Sequence, residues 1–238
     1  MEEKIDILRT KISKMPKGRE KVDALNELSW LVRYERSEEG VQAAAEARSL
    51  SGKINYKRGG AYGKLNSAAN RYLSALDEEV IRLLFEALDY FDHSVEKEAG
   101  LSQAHNFLAM VHESYGDYET ALKHAQHAVD AASSMNYKEG EGDGLSTLGL
   151  IHNRLCDFSR SLPVFKKSIE IRKELGNNKA VASSLNLIAR TYALSGEYEP
   201  AMDHYTQSLE LREEINDESG LPWTYLGMAS LLEKAGTI

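Results

Sequence analysis

The chain has one cysteine, Cys156, among its 238 residues. A single cysteine excludes an internal disulfide and a thiolate-rich metal site, and it fits a reducing compartment. Proline is nearly as scarce, at 4 residues, so few positions force a helix to break. No apolar run approaches the roughly 20 residues needed to span a bilayer. The opening stretch MEEKIDILRTKISK is charged and lacks the apolar centre of a secretory signal. Positive charge is in deficit: 29 basic against 37 acidic residues leave a formal net charge of -8. Such a chain repels phosphate backbones and anionic leaflets, so neither nucleic acid nor membrane is an expected partner. Together these absences predict a soluble, cytoplasmic protein.

Alanine, leucine, glutamate and lysine are plentiful, which favours helix. No segment alternates apolar and polar residues as a half-buried strand would. The chain also repeats itself. Leu108, Leu148 and Ile188 stand 40 residues apart, each followed by a small residue, Ala109, Gly149 or Ala189. Asp117-Tyr118, Asp157-Phe158 and Glu197-Tyr198 keep the same step, followed by Ala121, Ser161 and Ala201, then Ala125, Phe165 and Tyr205. Stepping back from Leu108 reaches Ala68 and Leu28, and stepping forward from Ile188 reaches Met228.

Each period divides into two helices. In the third, helix A is predicted over 101–115, with Ala104, Leu108, Val111 and Tyr115 on one face. Gly116-Asp117 closes it. Helix B follows over 118–135, with Ala121, Leu122, Ala125 and Val129 inward. A lone pair of this size cannot bury its apolar face, so copies must stack to share a core. Ala109, Gly149 and Ala189 let helix A approach its neighbour, and Tyr118, Phe158 and Tyr198 are expected to fill the space between periods. The glycine-rich stretch Gly140 to Gly144 falls at a junction between periods and reads as a flexible turn and helix start.

The order Leu-small-x-x-aromatic, Gly-acidic-Tyr, x-x-Ala resembles the tetratricopeptide repeat, best at Ile188-Ala189, Tyr192, Gly196, Tyr198 and Ala201. The resemblance implies an all-α solenoid of antiparallel helix pairs wound as a right-handed superhelix. It covers about residues 21–238, as five repeats plus the first helix of a sixth. The period is longer than the common 34-residue form and is similar to the arrays of kinesin light chains and of bacterial signalling proteins. Residues 1–20 are predicted as an N-terminal cap, a helix over 2–14 with Ile5, Leu8 and Ile12 inward, ended by Met15-Pro16-Lys17-Gly18. At the other end, 221–235 reads as a helix A whose Leu226, Met228, Leu231 and Leu232 are apolar for a cap. That makes the chain read as a fragment of a longer protein, or as one that self-associates through its last helix.

Two residues before each anchor stand Asn26, Asn66, Asn106, Ser146 and Asn186. Asparagine is a mediocre helix former, and each amide offers both a donor and an acceptor. In the tetratricopeptide family this position faces the groove, which implies a row of amides holding the backbone of an extended peptide. The alternative use is packing between repeats. Arg154 and Arg190 are further candidates, as readers of acidic side chains, and Arg33, Asn70, Glu113 and Asn153 complete the groove set. The carboxylate clamp of co-chaperone repeats is not reproduced, since its first lysine position holds Asn or Ser here.

Catalytic patterns are missing: no phosphate-binding Gly-x-x-x-x-Gly-Lys loop, no His-Glu-x-x-His pair and no Gly-x-Ser-x-Gly elbow. His124 and His127 share a helix face, yet no acid or cysteine pattern completes a metal site in the sequence. His152 stands one turn before Cys156, a spacing expected from chance. The sequence thus predicts a non-enzymatic protein without cofactor or metal that binds a protein or peptide segment. The alternative is the regulatory part of a larger cyclase, histidine kinase or transcriptional regulator.

Overall fold

The computed structural model describes residues 2–33, 37–72 and 77–236, and among these it contains α-helices and no strand. The helices are α1 (Glu2–Lys14), α2 (Arg19–Val32), α3 (Ser37–Lys53), α4 (Lys57–Tyr72), α5 (Glu78–Asp92), α6 (Ala99–Ser114), α7 (Tyr118–Ser134), α8 (Lys138–Arg154), α9 (Phe158–Glu174), α10 (Asn178–Ser195), α11 (Tyr198–Glu214) and α12 (Leu221–Lys234). The fold is all-α, of the tetratricopeptide solenoid type, with α1 to α6 packed in succession and α7 to α12 packed in succession. No helix of the described residues is long and apolar enough to cross a membrane.

Local chemistry sets the helix ends. Asp77, Asp117, Asp157 and Asn177 each accept a hydrogen bond from the backbone N–H three residues on, at Val80, Thr120, Arg160 and Ala180. These are N-caps, which satisfy donors that the first turn leaves unpaired. The turns use the left-handed conformation. Positive φ occurs at Asn55, Asn136, Cys156 and Asn216, and at Gly116, Gly176, Gly196 and Gly236. From Gly116 onward these positions advance by 20, so the turn inside a repeat and the turn between repeats share one geometry. Glycine and asparagine tolerate it, whereas Cys156 does so at a steric cost.

The chain forms two compact units, 1–115 and 116–238. In the first, Ile5, Leu8 and Ile12 of α1 are buried with Val22, Leu25, Leu28 and Val32 of α2 and Ala43, Ala47 and Leu50 of α3. A second cluster joins Leu65 of α4, Val80, Leu83, Leu84 and Phe91 of α5, and Phe107, Leu108 and Val111 of α6. The second unit is built from smaller clusters: Val129, Leu145 and Ile171; Phe165, Ile169, Val181 and Ile188; and Ala189, Ala201, Tyr205 and Leu231.

Three expectations need correction. Tyr115 is exposed and caps α6 instead of joining its buried face, because the helix ends one residue earlier and its last turn faces water. Tyr198 is exposed too and does not fill a space between repeats. Gly140, Gly142 and Gly144 form no flexible turn: they lie buried in the first turns of α8. A Cβ on Gly144 would come within 3.0 Å of Val129 and 3.2 Å of its backbone nitrogen, so the glycines let α8 lie directly against its neighbours.

Candidate functional site

The positions at 26, 66, 106, 146 and 186 fall one to each of α2, α4, α6, α8 and α10. Their amides first do work inside the chain. Asn26 donates from Nδ2 to the Gly59 carbonyl at 2.9 Å. Asn66 donates to the Asn26 carbonyl at 2.9 Å and to its Oδ1 at 3.3 Å. One turn on, Asn70 donates to the Ser29 hydroxyl at 3.0 Å and to the Asn66 carbonyl at 2.8 Å. Ser146 shares a hydrogen bond of 3.0 Å with Ser168, and Asn186 donates to Thr224 Oγ1 at 3.0 Å. Asn106 is partly buried with Nδ2 4.0 Å from the Met110 sulfur. Asn153 donates to Thr191 Oγ1 at 2.8 Å. Apart from Asn70 to Asn66 and Asn106 to Met110, which stay within one helix, these bonds link neighbouring helices, and net hydrogen bonds of this kind stabilise by about 1 kcal/mol.

Some of the row also borders open space. In the first unit Asn26 and Asn66 line a cleft of about 300 Å³. Its other walls are Asp23, Glu27 and Trp30 from α2, Arg58 and Tyr62 from α4, and Gln103 from α6. The sequence reading missed these companions; Trp30 and Tyr62 lie one turn from Asn26 and Asn66 on the same helices, which is the signal that marks them. A larger depression of about 1050 Å³ lies among α3, α4 and α5, away from the row, with the ion pair Lys64–Glu86 at 2.8 Å on its edge.

The electrostatics of the cleft are mostly internal. Arg58 donates to Glu98 at 2.6 Å and lies over the Tyr62 ring at 5.3 Å. Its pKa is raised by hydrogen bonding to Tyr56 and Glu98 beyond the opposing effect of burial. The Tyr62 hydroxyl is pushed up to about 12 by burial and the nearby Glu98, so it stays protonated. Asp23 accepts from the Tyr56 hydroxyl at 3.0 Å. Arg33 stacks over Trp30 at 3.8 Å. In the second unit, Arg154, the last residue of α8, and Arg190, within α10, are exposed, and in the first unit Glu113 is partly buried.

The sequence model of the tetratricopeptide repeat matches residues 142–214. That stretch carries tetratricopeptide repeats. No curated protein matches it in sequence. Among solved structures, BtubC (BKLC) from P. vanneervenii aligns with a TM-score of 0.69 at 16% identity, over 84% of this chain and 85% of its own. Aspartyl phosphate phosphatase F from Bacillus subtilis aligns with a TM-score of 0.71 at 16% identity, over 88% of this chain and 57% of its own. NprR in complex with its cognate peptide NprX aligns with a TM-score of 0.68 at 17% identity, over 97% of this chain and 64% of its own. At these identities the likeness of the repeat array to each is one of fold.

Proposed function

We propose that this repeat array is a non-catalytic scaffold whose helix-A faces hold an extended segment of a partner protein. The observation that carries the reading is the cleft of about 300 Å³ at the Asn26–Asn66 pair, bordered by α2, α4 and α6. It joins polar hydrogen-bonding groups to aromatic walls, the composition of a binding site and not of a packing defect. A structural relative, NprR, holds a peptide. Asn106 holds the equivalent position on α6 of the first unit; in the second unit Ser146 and Asn186 hold it on α8 and α10, with Arg154 and Arg190 as side-chain readers there.

The test is an array of immobilised nonapeptides probed with purified protein. Gln103 borders the cleft and is only partly buried, so Gln103→Trp fills the space and spares the core. The expected result is retention of the native chain on a subset of peptides and loss of that retention by the filled variant. Equal retention by both, or retention of neither, overturns the reading.

A second reading follows from α12. Trp223, Tyr225 and Leu226 are 70%, 50% and 63% exposed, a large apolar surface on one helix. It favours the array as a regulatory region that packs through α12 on an output domain or on a second copy. Sedimentation velocity across a concentration series separates these, since a monomer at the highest concentration removes self-association.

A further inference from the structure

We propose that α12 is a self-association surface on which a second copy of this chain lays its own α12, antiparallel and related by a two-fold axis. The inference rests on the α12 reading above and commits it to one occupant and one geometry. The second unit itself supplies the pattern. Forty residues before Pro222, Tyr225, Leu226 and Ala229 stand Ala182, Leu185, Asn186 and Ala189 of α10. There Ala182 and Ala189 are fully buried, and Ala189 shares a cluster with Ala201 and Tyr205 of α11. The two-residue turn at 196–197 makes α11 antiparallel to α10. On α12 all four equivalent positions are exposed. Among the described residues α12 packs against α10 and α11 through its other side, where Thr224 and Leu231 are buried.

The face that α10 gives to α11 thus takes an antiparallel helix that sets an aromatic ring on an alanine. A second α12 meets that requirement. Tyr225 precedes Ala229 by one turn, so two copies centred on position 227 set the Tyr225 ring of each against Ala229 of the other. Leu226 then lies nearest the axis and meets its own counterpart. Charge favours the same occupant. From Leu221 to Leu232 there is no charged side chain, in a chain of formal net charge -8. Two such faces meet without burying a charge or opposing like charges, which the rest of this acidic surface does not offer. At each end Glu233, on the same face, comes to the N-terminus of the other α12, whose first turn has no side-chain cap. An anion is stabilised at that positive end of a helix. Glu218 precedes the same N-terminus and adds a like charge, which Lys234 beside Glu233 offsets. Two helix faces of this length bury on the order of 1,000 Å² together, the low end for a specific interface, so the expected dimer is a weak one.

The experiment is sedimentation velocity on the 238-residue chain across a concentration series, with reductant present because Cys156 is exposed. The expected result is a concentration-dependent monomer–dimer equilibrium. Leu226→Glu and Leu226→Lys should each raise the dissociation constant by about tenfold or more, because like charges then face each other across the axis. An equimolar mixture of the two should regain the dimer. Leu226 is 63% exposed, so both variants keep the fold, which circular dichroism checks; Ile7→Glu, at a site on α1 that is 61% exposed, should leave the dimer unchanged. A dimer that survives both Leu226 variants, a mixture that stays monomeric, or an equal loss in Ile7→Glu overturns the two-fold pairing while self-association as such stands. A native chain that is monomeric throughout overturns both and leaves α12 to an output domain.

Discussion

The two units follow one helical plan but differ in the polar side chains they bury: uncharged groups in the first, with Glu141, Arg172, Arg212 and Asp217 added in the second. In the first, buried amides and hydroxyls join α4 to α2 and α2 to α3: Asn66 to Asn26, Asn70 to Ser29, and Ser29 to the Gly40 carbonyl at 2.7 Å. Large rings fill its core, with Trp30 edge-on to Phe107 and Tyr62 edge-on to Phe91 at 6.1 and 4.9 Å. In the second, charged groups reach from one helix pair to the next. Arg172 donates to Ser184 Oγ at 2.5 Å and to Asp143 at 3.0 Å. Arg212, 40 residues on, donates to Thr224 at 3.2 Å, to Ser183 at 3.2 Å and to Asp217. Ser168 and Ser208, again 40 apart, bond the carbonyls of Gly142 and Ala182 at 2.8 Å each. The family match at 142–214 lies wholly in this second unit. Regular sequence goes with regular polar links, while the first unit keeps the helix plan with larger apolar side chains in place of the motif.

The largest test of this contrast removes one charge. Arg212 and Asp217 are both 4% exposed at their side chains, so Arg212→Ala strands a buried carboxylate that only Lys179 at 3.4 Å and Ser219 still serve. Losing one partner of a buried pair costs about 3 kcal/mol. The matching change in the first unit, Asn66→Ala, removes neutral bonds and costs about 1 kcal/mol. Hydrogen exchange resolved by helix measures both, and equal losses would erase the distinction. Next in size is Gly149→Ala. Its Cβ would meet the fully buried Phe165 ring at 2.6 Å, and forcing a methyl into such packing costs about 2 kcal/mol. Exchange in α8 and α9 should rise, with α4 and α5 unchanged.

Much of this was legible. The apolar faces, the small residue before the facing aromatic and the turn positions are local properties, and they recur at a fixed step. Ile5, Leu8 and Ile12 are buried because their spacing puts them on one face. The partners of the asparagines were not legible, because an amide's choice between a neighbouring helix and a ligand depends on interhelix distances of tenths of an ångström. Asn66 reaches Asn26, whereas among the described residues Asn106 reaches a sulfur, though both occupy the same register. Gly140, Gly142 and Gly144 misled for a related reason: glycine marks both turns and close helix contacts, and only the packing tells them apart. Arg172, Arg212, Ser168 and Ser208 did carry a signal, the step of 40, but on helix B, where groove-centred reasoning does not look.

A smaller effect separates the turns. Cys156 adopts φ of 56° where Gly116 and Gly196 occupy equivalent turns. A non-glycine residue in that region carries about 1 kcal/mol of strain. Cys156→Gly is therefore expected to stabilise the second unit by about 1 kcal/mol in thermal or denaturant unfolding. In the first unit Asn55 already tolerates φ of 51°, so Asn55→Gly should change stability little.

The smallest expected effect concerns pH, and here the two units differ in sign. His152 of the second unit is buried, its Nδ1 has no hydrogen-bond partner among the described residues, and its pKa is lowered by burial and by Arg160 against the pull of Asp157. A base with a depressed folded pKa stabilises fully above its unfolded value of about 6.5 and loses that contribution as pH falls below it. His93 of the first unit is raised, first by its bond to the Asp89 carbonyl and then by the Asp89 charge. Its contribution is present below about 6.5 and fades as pH rises through the folded pKa. Between pH 7.5 and 5.5, protection factors in α8 should therefore fall relative to those in α5. His152→Gln should remove most of the difference, because glutamine does not titrate; a drop that persists in that variant would assign the acid sensitivity of the second unit to its carboxylates instead.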